Sequence, residues 1–192
     1  MFRTSLPRFR ARHGAPLRWR SGIAFLLLLG TCAGLLRAQA DPYQVKALFL
    51  VNFARYIDWP PQTFASPADP INICVLGRNP FGNTLEQAIS GKTVDGRTLA
   101  VHQVSESESG RNCQILFVSA VERKRFLAVS KSLRELAVLT VGEEPQFTSE
   151  GGVISFKVED GKIRFEINVE AAAQGHLHIS SKLLNLAQIV RK

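Results

Sequence analysis

No signature of nucleotide binding or nucleophilic catalysis occurs in this sequence. Gly91-Lys92-Thr93 has the tail of a phosphate-binding loop, but the position five residues before Gly91 is Glu86, where that loop requires glycine. GRNPFG, residues 77–82, has glycine at both ends but not the G-x-G-x-x-G spacing of a dinucleotide loop, and reads as a strand-to-helix turn. A G-x-S-x-G elbow is absent, and LFVSA ends in Ser119 and Ala120 instead of the carboxylate that a receiver-type phosphoryl acceptor needs. His176 and His178 could share one face of an extended segment, but no further His or Cys lies nearby to complete a metal site. Catalysis is therefore the weaker class of function, and neither cofactor nor metal is expected.

Acidic residues are missing from the first 40 positions, which hold seven arginines. That leaves 17 basic against 16 acidic groups in residues 41–192, so the formal charge of +8 does not describe a nucleic-acid-binding surface, and no nucleic acid partner is expected. The arginine-rich stretch is followed by the apolar run Gly22 to Leu36 and then Ala38-Gln39-Ala40, the three zones of a secretory signal. The run is 15 residues long, short of the roughly 18 to 20 needed to span a bilayer. Cleavage is predicted after Ala40, against the alternative of a retained anchor. Residues 41–192 then form a single domain, and Cys32, preceded by Thr31 where a lipoprotein carries a small residue, leaves with the signal.

Cysteine is scarce as well: only Cys74 and Cys113 remain after cleavage. Export to an oxidising compartment favours their pairing, the alternative being two buried thiols. A bond would close a loop of about 40 residues, worth on the order of 3 to 4 kcal/mol in the chain-entropy model.

What is present is a βα alternation. INICVLG (71–77), LAVHQV (99–104), QILFVSA (114–120) and AVLTVGE (137–143) read as strands, and PFGNTLEQAIS (80–90) and ERKRFLAVSKSLREL (122–136) as the helices between them. The pattern predicts an α/β fold with a mainly parallel sheet flanked by helices, with loops at 91–97 and 105–110. Further on, GGVISFKVEDGKIRFEINV contains Asp160-Gly161, a strong hairpin turn signal. Counting back from it pairs Val158 with Ile163, Phe156 with Phe165 and Ile154 with Ile167 on an apolar face, and Lys157 with Arg164 and Ser155 with Glu166 on a polar one. Glu166 then sits within a cross-strand charge group. EAAAQGHL (170–177) and SSKLLNLAQIVRK (180–192) are predicted as helices.

The opening stretch KALFLVNFARYIDWP, residues 46–60, is too polar at Asn52, Arg55 and Asp58 to cross a membrane. As a helix it places Phe49, Phe53 and Tyr56 within a sector of about 60°, and Ala47, Leu50, Val51, Ala54 and Ile57 within another of about 120°. One apolar face can cover the sheet. The second must be buried by the carboxyl-terminal segment, through Leu183, Leu184, Ala187 and Val190, or by another protein, a second copy included.

KALFLVNFARYIDWP, INICVLGRNPFGNTLE, GKTVDGRTL, CQILFVSA, the Gly151-Gly152 turn, GKIRFEINVEAA and HISSKLLNLAQIV together resemble the YfiR family of exported bacterial proteins, over about residues 43–190. The resemblance implies a receiver-like α/β fold without the phosphorylation site and a periplasmic location. It implies a non-enzymatic regulator that binds the periplasmic sensory domain of a YfiN-type membrane diguanylate cyclase and represses it, controlling cyclic di-GMP and biofilm formation. An outer-membrane-associated protein and a second copy of the chain are further implied partners. It also implies a Cys74–Cys113 disulfide. Relatives with a second cysteine pair carry it around the Gly-Gly turn, a region that holds Thr148 and Ser155 here and no cysteine. Glu166 and Asn168 match signature positions and are candidate partner or ligand contacts, together with Arg55, His178 and the ring face Phe49, Phe53 and Tyr56. The alternative function is a periplasmic small-molecule-binding module reporting to a membrane sensor kinase or receptor, with its ligand at the carboxyl ends of the strands.

Overall fold

The computed structural model describes residues 41–105, 110, 112–133 and 135–191. The predicted export signal, residues 1–40, and residues 106–109 of the predicted loop lie outside the described residues.

Four runs of β-branched and apolar residues form parallel neighbours: β2 (Ile71–Leu76), β4 (Arg97–Val104), β5 (Ile115–Val118) and β6 (Leu139–Gly142). Every residue of β5 and β6 is buried, as expected of strands covered on both faces. β7 (Ile154–Glu159) joins β6 in parallel and turns back through Asp160-Gly161 into antiparallel β8 (Lys162–Asn168). All five predicted pairs of that hairpin are in register. β3 (Thr93–Val94) closes one edge of the sheet and β10 (Gln188–Val190) lies at the other, giving the order β10-β8-β7-β6-β5-β2-β4-β3. The five strands β2, β4, β5, β6 and β7, taken in chain order, are arranged 2-1-3-4-5, a doubly wound topology. A small antiparallel ribbon of β1 (Ile57–Asp58) and β9 (His178–Ile179) stands apart.

The sheet has two unequal faces. On the first, α1 (Pro42–Tyr56), α2 (Thr84–Ile89), α4 (Val169–Gln174) and α5 (Ser181–Leu184) contribute to one large core. On the second, α3 (Arg123–Leu133) supplies Phe126 and Leu133 to a smaller cluster with Leu116, Val118, Phe147 and the disulfide sulfurs. Phe147 lies so close to Gly142 and Gly152 that a Cβ on either would overlap its ring. Glycine at 152 is thus a packing requirement.

α1 begins at Asp41, whose carboxylate accepts the Tyr43 N–H, with Pro42 at its first position. Its second apolar face is covered from within the chain. Phe49 and Phe53 lie 5.2–5.9 Å, centroid to centroid, from Phe156 and Phe165 of the hairpin. Phe53 is fully enclosed, which corrects the expectation that it contacts a partner; Phe49 and Tyr56 remain partly exposed. The proposed cover by the carboxyl-terminal segment is present in part, through Leu183, Leu184 and Ala187.

That segment differs from the predicted helix over 180–192. Ser180 caps only the short α5, after which the chain extends and Gln188–Val190 pairs in parallel with Glu166–Asn168. Two β-branched residues beside the unpaired backbone groups of β8 gain more from ladder hydrogen bonds than from another helical turn. The helix predicted from Pro80 begins at Thr84, because the Asn79 side chain accepts the Phe81 N–H and holds residues 79–82 in a turn.

Candidate functional site

In a doubly wound sheet, ligands bind beyond the carboxyl ends of the strands where the strand order reverses, here at β2 and β5. This chain fills that place with its own side chains. Glu122, buried in the turn after β5, accepts the Arg78 N–H at 3.1 Å and pairs with Arg125 at 3.0 Å. Next to it, Glu143 follows β6 and accepts both the Tyr43 hydroxyl, at 3.2 Å, and the Ala120 N–H, at 3.1 Å. Glu143 also forms an ion pair with Lys46, whose ammonium lies 4.5 Å from the Tyr43 ring centroid. Burial, reinforced by the Glu143 carboxylate, pushes the Tyr43 pKa up to about 12. Ser119 is buried at the end of β5, in the place of a phosphoryl acceptor. The cleft that the small-molecule reading expects at this end is therefore occupied by a clamp between α1 and the sheet.

A cavity of about 870 Å³ opens instead toward the amino ends, over the second face of β2 and β4. Asn72, Cys74, His102, Gln114, Val138 and His176 are among its lining residues. Cys74 and Cys113 form a disulfide there, with Cα atoms 5.8 Å apart and both residues buried. Asn72 organises the wall: its N–H donates to Gln114 Oε1 at 2.8 Å, its Nδ2 donates to the Asn112 carbonyl at 2.7 Å, and its Oδ1 lies 3.1 Å from His102 Nε2. Amide and imidazole groups facing an open volume can hydrogen-bond a small polar molecule.

Glu166 and Asn168, expected on an exposed polar face, are both buried. The Glu166 carboxylate accepts the Thr148 hydroxyl and pairs with Lys157. Asn168 Oδ1 accepts the N–H groups of Glu170 and Ala171, capping α4, while its Nδ2 donates to the Thr148 carbonyl at 2.9 Å. This corrects their expected role: both fasten the segment after β6 to the hairpin and are closed to a partner in this conformation. Thr148 is the residue that sequence reasoning missed, and no local pattern marks it, since its partners lie 18 and 20 positions away.

Arg55 and His178 are exposed. The β1–β9 ribbon sets His178 opposite Asp58, and the Tyr56 carbonyl accepts the Ser180 N–H at 2.9 Å, so Arg55, Tyr56 and His178 gather at the carboxyl end of α1. His176 and His178 find no metal partner group: among the described residues no cluster of three or more His, Cys, Asp or Glu could hold an ion. Large apolar side chains reach solvent at Leu48, Val121, Val158 and Leu186. A candidate surface for binding another protein thus comprises the end of α1 with its ribbon and the outer strands of the sheet.

Against known families, the model for YfiR/HmsC-like domains matches residues 43–188, from the first turn of α1 into β10. With its doubly wound sheet, its hairpin and nearly the whole described domain inside that match, the chain belongs to the YfiR/HmsC-like family.

Proposed function

We propose that the chain is a periplasmic regulatory protein that binds the sensory domain of an inner-membrane diguanylate cyclase and represses it, thereby controlling cyclic di-GMP and biofilm formation. Family membership over residues 43–188 carries the reading. The carboxyl end of the sheet supports it, because ion pairs internal to the chain fill the place where doubly wound proteins bind ligands. Binding alone performs the work: whatever releases the cyclase must favour the free state over the docked one, and moving the population from 1:99 to 99:1 takes about 5.5 kcal/mol. An outer-membrane-associated protein competing for the same chain could supply that difference. Deleting the gene is expected to raise cyclic di-GMP, and a level unchanged under several envelope conditions would overturn the reading.

The cavity of about 870 Å³ beside the disulfide favours a second reading, a small-molecule-binding module that reports to a membrane sensor kinase or receptor. A thermal-shift screen with polar metabolites tests it, since a ligand in large excess raises the melting temperature. A screen with no shift removes this reading and leaves the first untouched.

A further inference from the structure

β8 runs from Lys162 to Asn168, but its outer neighbour β10 pairs only with Glu166, Ile167 and Asn168. The outer edge of residues 162–165 meets no strand among the described residues. Side chains alternate along a strand, so this edge carries two chemistries. Toward the first face stand Ile163, partly buried, and Val158 across the hairpin, 70% exposed. Toward the second face stand Lys162 and Arg164, both exposed and, among the described residues, without an ion pair. Lys157 on that side is engaged by the buried Glu166, and Glu159 lies opposite Lys162.

An open strand edge is a template for one more strand, and proteins that bind extended peptides use it so. β10 already does this on the same strand: Ile189 continues the apolar side beside Ile167, and Gln188 continues the polar side within 3.4 Å of Lys157. We propose that residues 162–165 receive an extended segment of a partner protein, added as a strand beside β8, in which apolar and acidic side chains alternate. Its apolar residues pack beside Ile163, extending the apolar row that Ile163 forms with Val158, and its carboxylates face Lys162 and Arg164. This inference deepens the regulatory reading above and rests on it for the partner being a protein.

Two short synthetic peptides provide the test, one alternating valine with glutamate and one alternating valine with lysine, each presented to the purified protein. The valine–glutamate peptide is expected to slow amide hydrogen exchange at residues 162–165, and the Lys162→Glu/Arg164→Glu protein to bind it about tenfold more weakly or worse. Equal protection by both peptides, or by neither, would overturn the proposal. In a deletion strain, wild type restores low cyclic di-GMP and the double variant, with unchanged melting temperature, does not. If the folded double variant represses as well as wild type, the edge is not the docking site although the regulatory reading stands. If wild type itself leaves cyclic di-GMP unchanged, the regulatory reading fails, and the peptides alone judge the edge. A dimeric wild type that the double variant converts to monomer would assign the edge to a second copy and overturn the proposal.

Discussion

Lys46 on α1 and Glu143 after β6 stand 97 positions apart in the chain and meet as an ion pair with about a tenth of each side chain exposed. A charge held so far from water is stabilising only while its partner is ionised. Glu143→Gln leaves the Lys46 ammonium uncompensated and is expected to lower the unfolding free energy by about 3 to 5 kcal/mol. Urea denaturation checks this, and an unchanged midpoint would show that the pair does not clamp α1.

Tyr43 adds a pH dependence to the same clamp. Its pKa of about 12 in the folded protein lies above the ordinary value of 10.0, so the folded state holds the phenolic proton more tightly than the unfolded one. The stabilisation is complete below pH 10 and is lost as pH rises through 10 toward 12. Ultraviolet difference absorbance is expected to resolve a tyrosine transition at that upper limit, and Tyr43→Phe to abolish it.

Reduction of Cys74–Cys113 frees a loop spanning 39 positions and is expected to remove on the order of 4 kcal/mol of stability. Thermal unfolding with and without reductant measures it. The Cys74→Ala/Cys113→Ala protein should melt at the reduced temperature and ignore the reductant.

Glu166→Ala is expected to act on stability, because the side chain is buried between Thr148 and Lys157. Loss of charged hydrogen bonds of this kind costs about 1.5 to 3 kcal/mol each. Hydrogen exchange should accelerate in residues 143–152, which Thr148 ties to the hairpin. A variant of full stability with unchanged exchange there would return Glu166 to the list of contact residues.

Gly152→Ala places a methyl group against the Phe147 ring and is expected to destabilise by about 1 to 3 kcal/mol, as overpacking does. Pairing it with Phe147→Leu should recover part of the loss in the same denaturation assay.

The hairpin was legible in the sequence because its register follows from two adjacent residues: Asp160-Gly161 sets the turn, and period-two alternation carries every pair outward from it. β2, β5 and β6 were legible as short apolar runs between breakers. The terminal segment was not. SSKLLNLAQIV has helical spacing, and only the free edge of β8 turns its end into a strand. The candidate site divides in the same way: Arg55 and His178 are exposed, whereas Phe53, Glu166 and Asn168 are enclosed by residues distant in the chain.

By itself, then, the sequence determined the α/β class, the cysteine pair available for a bond, the hairpin register and the surplus of apolar surface on α1, all of which depend on neighbours a few positions apart or on composition. Tertiary structure decided which surfaces stay open. The phenyl rings of Phe156 and Phe165 close over α1, and Lys46 with Glu143 fills the carboxyl end of the sheet. Among the described residues, 162–165 keep a free edge because β10 is only three residues long. Burial is a property of contacts between distant segments, and hydrophobic periodicity states that a face needs cover without saying what provides it.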